Sequence, residues 1–215
     1  MGTLPFLSHE AARKQQQQQP SSPTQRRMFD VLSKHFTLKL EDVPRHRWWT
    51  LLTPAFSHIQ PYHLAANLVA FGTFSTMLLR YGIAPARYAA LVLGAAVTGN
   101  LAFLFQAARS QRRQRFPNSL ATQLRALGLS GVVMGLGAAV SLATPKAKVL
   151  LFGAIPTPIW LLMGVYTLYD SARLDDQAST VGHAAHLGGA AFGAAYYLLA
   201  LRGPAALPFA WLARL

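Results

Sequence analysis

Five long apolar runs, separated by polar or charged segments, follow one another along the chain after residue 60. They cover residues 61–79, 84–107, 126–143, 149–169 and 181–201. Each run has about 18–24 residues, which is long enough for a helix to cross a bilayer. The pattern therefore predicts an all-α, polytopic membrane helical bundle with about five transmembrane helices. Pro156 and Pro158 lie within the fourth run, so we expect that helix to be kinked or to start late.

The segment before these runs is polar. Residues 1–47 contain a glutamine run at 15–19 that is followed by prolines, which predicts a disordered, basic tail. Within the tail, apolar residues at helical spacing predict a short amphipathic helix over residues 28–40. The pattern thus divides the chain into a tail at 1–47, a transmembrane domain at 48–201 and a short C-terminal tail at 202–215.

The transmembrane domain begins with a pair of tryptophans, Trp48 and Trp49. Paired tryptophans are typical of the headgroup level of a membrane. Residues 50–62 carry two prolines, so we expect an interfacial loop there rather than a further span.

Composition supports the membrane class. Hydrophobic residues make up 52% of the chain and charged residues 13%, which is about half the usual share in a soluble domain. The chain has no cysteine, which excludes disulfides and thiolate metal sites. The formal charge is +13, but the basic residues concentrate in the tail and one loop. That distribution is typical of segments flanking membrane spans, so we expect the lipid bilayer and no nucleic acid as partner.

The basic residues also predict the topology. If the spans alternate in direction, the N-terminal tail and the loops at 108–125 and 170–180 share one side and carry 14 Lys and Arg residues. The opposite side carries 6. The positive-inside rule then places the N-terminus in the cytosol or in the matrix of an organelle.

A serine and a histidine enter the membrane from that same side. Ser130 lies in Gly128-Leu-Ser-Gly131 near the start of the third run, and His186 lies near the start of the fifth. Both are about 7–8 Å along their helices, so they could meet as nucleophile and base. The alternative is helix packing, because Gly131 and Gly135 have the spacing of small residues at membrane helix contacts.

His63 and Asn67 lie one helical turn apart near the start of the first run. They could donate hydrogen bonds to a developing oxyanion. They could equally connect neighbouring helices through their polar side chains. The spacing alone leaves both interpretations open.

Taken together, these motifs resemble the rhomboid family of intramembrane serine proteases over residues 47–201. The motifs are His63-x-x-x-Asn67, Gly128-x-Ser130-Gly131 and Ala185-His186-x-x-Gly189, in that order on three separate runs. The segment from His183 to Gly189, with Met134 four residues after the serine, is most similar to the mitochondrial presenilin-associated rhomboid-like branch.

The resemblance implies a six-helix core and cleavage of transmembrane protein substrates by a Ser–His dyad. It implies Ser130 as the nucleophile and His186 as the base. His63 and Asn67, with the Ser130 amide, would line the oxyanion hole. Gly128 and Gly131 would allow close packing at the serine. It further implies that Gly189 lets the last helix approach the serine helix, that His58 is a structural histidine, and that the protein resides in the mitochondrial inner membrane.

The sequence predicts a catalytic dyad rather than a triad, and it differs from the family at one loop position. The apolar part of the runs holds no acid, and Asp170 falls in the loop at 170–180, so we expect a dyad without an orienting carboxylate. We expect His183 to face the surface. The loop arginine that follows the tryptophan in the family is replaced by Thr50, so either Arg47 takes its place or that anchor is lost.

The pattern has five runs where the family core has six, and the missing one is the family's first helix. An active protease is the leading hypothesis, and a catalytically inactive rhomboid-like protein that binds transmembrane clients is the alternative. A third hypothesis, a transporter or scaffold, predicts an acid within a span, and the runs contain none. No metal or cofactor is implied, and the oligomeric state stays open.

Overall fold

A computed structural model describes residues 22–113, 125–151, 153–176, 179 and 181–202. Among these residues the chain forms six α-helices and one β-hairpin. The helices are α1 (Pro23–His35), α2 (Pro61–Tyr81), α3 (Pro85–Arg113), α4 (Ser130–Ala143), α5 (Ile159–Ala172) and α6 (His183–Tyr196). A π-helical turn, Tyr197–Leu201, extends α6, and the antiparallel hairpin consists of β1 (Lys148–Leu151) and β2 (Ile155–Pro158). Short 3-10 helices lie at Leu40–Asp42, Trp48–Leu51 and Thr53–Phe56.

Three helices in the described part of the chain are long and apolar enough to cross a membrane: α2, α3 and the helix His183–Leu201. They have 21, 29 and 19 residues, and many of their large apolar side chains point outward, as lipid contact requires. The predicted helical membrane bundle is therefore confirmed.

Two of the predicted spans are shorter than the apolar runs suggest. The third run forms a helix only from Ser130, because Ala126 pairs with Leu38 and Gly128 adopts a left-handed φ of 118°. The fourth begins with the β-hairpin, and α5 starts late, directly after Pro158. Both helices have 14 residues, or about 21 Å, less than the thickness of a hydrocarbon core.

The serine helix α4 lies at the centre of the bundle and packs against α2, α3, α5 and α6. Its contact with α6 is made by backbone against backbone. A Cβ added at Gly189 would overlap the Gly131 carbonyl, and one at Gly193 would overlap the Gly135 carbonyl. Small residues allow helices to approach this closely, so Gly189 brings α6 against the serine helix as expected.

The described part of the predicted tail is structured, which differs from the disorder expected over residues 1–47. The amphipathic helix lies at Pro23–His35 rather than at 28–40. It starts earlier because Ser22 and Gln25 form a reciprocal capping box and Pro23 occupies the first helical position. Residues 1–21, the centre of the basic loop at 114–124 and the C-terminal tail from 203 lie outside the described residues.

Candidate active site

Ser130 and His186 are in direct contact. The distance from Ser130 Oγ to His186 Nε2 is 2.7 Å, which is a hydrogen bond. Ser130 is the first residue of α4, and His186 lies in the first turn of α6, so both side chains sit at the same end of the bundle. The structure thus brings together the two residues that the sequence singled out.

A carboxylate completes this chain of hydrogen bonds. His186 Nδ1 lies 3.0 Å from Oδ2 of Asp170, whose side chain is 2% exposed. The expectation that no carboxylate orients the base was wrong. Helix α5 continues through Ala172, so Asp170 lies in its last turn rather than in a loop. The order Asp170, His186 and Ser130 has the connectivity of a catalytic triad.

His183 also binds this carboxylate. Its Nδ1 lies 2.6 Å from Oδ1 of Asp170, and its Nε2 lies 2.8 Å from Ser179 Oγ. The side chain is 4% exposed, so the prediction that His183 faces the surface was wrong. As the first residue of α6 it lies one turn before His186, and both imidazoles therefore reach the same aspartate. The spacing of the two histidines was the available signal, because it places both imidazoles on one side of the helix, where each needs a hydrogen-bond partner once buried.

The loop before Ser130 is held by a histidine. The Leu129 amide donates to His58 Nε2 over 3.3 Å, and the Asn67 side-chain amide lies 3.1 Å from the same nitrogen. Burial, with the nearby His63 as the second cause, lowers the pKa of the His58 imidazole. A neutral ring suits this position, since Nε2 must accept a hydrogen bond from a backbone donor.

His63 and Asn67 lie beside this loop. The His63 ring is 5.3 Å from that of His58, and a Cβ added at Gly128 would be 3.5 Å from His63 Cε1. Asn67 is buried, at 6% exposure. The structure therefore brings both residues to the turn that precedes the serine, and their role as oxyanion donors stays a prediction.

The same loop is anchored by two backbone contacts that the sequence did not suggest. Ala126 and Leu38 exchange two hydrogen bonds of 2.9 Å each, and the Gly128 amide donates to the Pro54 carbonyl over 2.8 Å. Leu38 is fully buried. Residues 126–129 are thus fixed at three successive points before the helix begins.

A buried ion pair between Arg47 and Asp42 stabilises the segment that follows Leu38. Arg47 Nη1 lies 2.9 Å from Asp42 Oδ1, and both side chains are nearly inaccessible to solvent. The Lys39 amide donates to Asp42 Oδ2 over 2.8 Å, and Thr50 Oγ1 donates to the Arg47 carbonyl over 2.7 Å. The sequence left open whether Arg47 replaces the loop arginine of the family or whether that anchor is lost. These contacts favour Arg47 as the anchor of the loop that contains Trp48 and Trp49.

The geometry supports nucleophilic chemistry. An imidazole that accepts from a serine hydroxyl, and is itself held by a buried carboxylate, can remove the hydroxyl proton as the oxygen attacks a carbonyl. His183 and His186 bind Asp170, whereas His63 packs near His58. Within the described residues, no group of three or more His, Asp or Glu side chains is arranged to hold a metal ion.

Comparisons with known proteins agree on one family. The model of the rhomboid domain matches residues 45–203. The chain is 30% identical over 168 residues to RHOMBOID-like protein 12, mitochondrial, of Arabidopsis thaliana, covering 76% of this chain and 49% of that protein. It is 28% identical over 148 residues to Rhomboid protein 1, mitochondrial, of Saccharomyces cerevisiae, covering 68% and 40%.

A third relative is the presenilin-associated rhomboid-like protein, mitochondrial, of Rattus norvegicus, which is 28% identical over 151 residues. That alignment covers 68% of this chain and 36% of the relative. The chain therefore spans half or less of the length of these curated relatives. No solved structure matches the chain.

Proposed function

The chain belongs to the rhomboid family, and from this premise we propose that it is an intramembrane serine endopeptidase acting on transmembrane proteins. The observation that carries the proposal is the 2.7 Å hydrogen bond between Ser130 Oγ and His186 Nε2. A serine that donates to an oriented imidazole is an activated nucleophile.

In the proposed reaction, Ser130 Oγ attacks the carbonyl carbon of the scissile peptide bond while His186 Nε2 takes the hydroxyl proton. His186 then gives this proton to the leaving amine, and the acyl group stays on the serine. Water next attacks the ester with His186 again as the base, which releases the carboxylic acid and restores the hydroxyl.

Asp170 acts as a positioning residue in this scheme. Its Oδ2 accepts from Nδ1–H of His186, which fixes the tautomer whose Nε2 is free to accept from Ser130. The carboxylate also stabilises the imidazolium that forms in the transition state. Its second oxygen accepts from His183, so the buried carboxylate has a partner on each side.

The proposed oxyanion hole consists of the Ser130 amide with His63 and Asn67. An asparagine amide has two N–H groups, so Asn67 can bind His58 and still donate to an oxyanion. Gly128 supports this geometry through its left-handed turn, and Gly131 through its close contact with the Ala185 carbonyl. In support of the assignment, these groups surround the turn that precedes the serine.

The location proposed for this activity is a mitochondrial membrane, and specifically the inner one. The names of the curated relatives support the organelle. Three helices long and apolar enough to cross a bilayer in the described part of the chain support integration. Transmembrane helices of other proteins are the proposed substrates.

The test is labelling by a fluorophosphonate probe in detergent. We expect the unmodified chain to react, and the variants Ser130→Ala and His186→Ala to lose the label. Ser141→Ala is the matched control, because Ser141 lies on the same helix and only donates to the Gly137 carbonyl. A folded, unmodified chain that stays unlabelled would favour the inactive, client-binding alternative. A label that persists in Ser130→Ala would contradict the proposal outright.

A further inference from the structure

Helix α1 is amphipathic, and its apolar side is uncovered in the described structure. At about 100° per residue, one side carries Met28, Phe29, Val31 and Leu32, and these are 60%, 56%, 54% and 50% exposed. None of the thirteen residues of α1 is buried. Four exposed apolar side chains on one side of a helix are typical of an interaction site for a protein or a membrane.

Helix α1 is linked to the bundle through Ser33 and its last turn. Arg125 Nη1 donates to Ser33 Oγ over 2.6 Å, and Ser33 belongs to the polar side. At the end of the helix, Thr53 Oγ1 donates to the His35 carbonyl. These contacts fix the helix to the bundle and leave the apolar side exposed.

The apolar side of α1 continues onto residues 48–60, which precede α2 and which we call the tryptophan loop. The His35 ring stacks on Trp49 at 5.7 Å with an interplanar angle of 23°. Trp48 and Trp49 are themselves exposed, at 56% and 45%. Helix and loop therefore present one continuous apolar surface.

This surface lies where the first membrane helix begins. The loop that contains the tryptophans leads directly into α2 at Pro61, and the intervening side chains of Phe56 and Ile59 are 78% and 79% exposed. Tryptophans and apolar side chains at the end of a spanning helix are typical of the headgroup level. The apolar surface of α1 and of this loop thus lies at the end of the bundle where Ser130 and His186 lie.

The charges on α1 indicate the kind of surface. Arg26, Arg27 and Lys34 lie on its polar side with one acid, Asp30, so the described helix is cationic. A cationic amphipathic helix of this kind binds in the plane of a membrane and is attracted to anionic headgroups.

We propose that α1 is an interfacial helix that binds an anionic phospholipid surface, with its apolar side in the acyl boundary and its cations among the headgroups. The proposal is independent of protease activity, since it depends only on the helix, the tryptophan loop and the position of α2.

The chain contains no cysteine, so single cysteines can be introduced and labelled selectively. The full chain would be reconstituted in phosphatidylcholine vesicles with and without phosphatidylglycerol. A bimane dye would be placed on the apolar side in Leu32→Cys and on the polar side in Lys34→Cys. Quenching by a lipid-borne nitroxide and by aqueous iodide then reports which side faces the bilayer.

We expect the dye at position 32 to be quenched mainly by the lipid nitroxide and the dye at 34 mainly by iodide, with stronger lipid quenching when phosphatidylglycerol is present. In the Leu32→Cys background, the double substitution Arg27→Gln with Lys34→Gln removes two cations from α1. It should lower the equilibrium constant for binding of α1 to vesicles that contain phosphatidylglycerol, by about fivefold per charge. Lys146→Gln with Lys148→Gln removes two cations before and within the hairpin, and should leave the signal unchanged.

Three results would overturn the proposal. Iodide quenching of both dyes would show that the helix stays in water. A dye at 32 that is shielded from both quenchers would show that protein covers this side, either another segment or a second copy. Inorganic phosphate that reproduces the effect of phosphatidylglycerol in neutral vesicles would show a site for free anions rather than for a lipid surface.

Discussion

At the scale of single residues, Asp170 joins two imidazoles, because its Oδ1 lies 2.6 Å from His183 Nδ1 and its Oδ2 lies 3.0 Å from His186 Nδ1. The sequence places the aspartate at the edge of an apolar run, where a loop acid and a helix-end acid look alike. In the structure α5 extends to Ala172, and Asp170 is one of its buried residues. The contact between Ser130 and His186 could be predicted from their types and their depth in the helices, whereas the contact of Asp170 depends on how far a neighbouring helix extends.

Asp170→Asn tests the positioning role. The amide can offer an N–H where the carboxylate accepts, which favours the His186 tautomer that cannot receive the serine proton. By the effect of the same change in a soluble triad, we expect kcat to fall by up to about 10⁴-fold with little change in KM. Cleavage of a transmembrane reporter would measure this. His186→Ala, in which the base itself is absent, sets the lower limit, and an unchanged kcat in Asp170→Asn would leave Ser130 and His186 as a simple dyad.

A second prediction concerns pH and His58. Burial lowers the pKa of this imidazole in the folded state, while in the unfolded chain it stays near the ordinary value of about 6.5. Below that pH the unfolded chain therefore binds more protons, so the stability conferred by neutral His58 is present above about pH 6.5 and decreases as the pH falls. Protonation would also remove the acceptor for the Leu129 amide.

The measurement is the thermal unfolding temperature in detergent between about pH 8 and pH 5, a range that brackets the ordinary imidazole pKa of about 6.5. We expect the unmodified chain to lose stability below about pH 6.5, and His58→Gln to show a shallower slope. The glutamine keeps an acceptor but does not titrate in this range. Parallel slopes for the two proteins would show that another group is responsible.

At the scale of elements, three of the five apolar runs form helices that are long and apolar enough to cross a membrane within the described residues, whereas the third and fourth runs form shorter helices. The fourth run contains β-branched residues and prolines, and periodicity cannot separate a short strand from a buried helix in such a stretch. The segments Lys148–Leu151 and Ile155–Pro158 form the two strands of a hairpin at the start of what the pattern predicted as one span. The glycines were more informative, because the spacing of Gly131 and Gly135 indicated a close helix contact and the family resemblance implied Gly189 as its partner, which the structure contains.

Gly189→Ala tests that contact. The new methyl group would overlap the Gly131 carbonyl, so α6 must move away from α4 and carry His186 away from Ser130. We expect a loss of stability of about 1–3 kcal/mol and a loss of fluorophosphonate labelling. Gly164→Ala is the matched control, because Gly164 lies in α5 with no atom within 4 Å of an added Cβ. Equal behaviour of the two variants would show that the glycine contact does not determine the distance between the serine and the histidine.

At the scale of the whole molecule, the site gathers at one end of the bundle from segments far apart in the chain. The family match starts at residue 45, yet Leu38 pairs with Ala126 only four residues before Ser130. Family motifs could predict the serine and the histidine, but no motif covers a contact made by a segment outside the match. Residues 37–47, which we call the strap, therefore join the interfacial helix α1 to the loop of the proposed nucleophile.

Two substitutions at Leu38 distinguish the effect of its backbone hydrogen bonds to Ala126 from the effect of its buried side chain. Leu38→Pro removes the N–H that donates to the Ala126 carbonyl, so the Ala126 anchor of residues 126–129 loses one of its two hydrogen bonds. We expect kcat to fall by about tenfold, the effect of a small misplacement of a nucleophile, with KM nearly unchanged.

Leu38→Ala keeps both backbone hydrogen bonds but empties a fully buried site. It should lower stability by about 2–5 kcal/mol while the folded fraction retains its kcat. Reporter cleavage and thermal unfolding, measured on both variants, would distinguish these effects. If the proline variant keeps its kcat and only loses stability, as the alanine variant does, the strap attaches α1 to the bundle without positioning the serine.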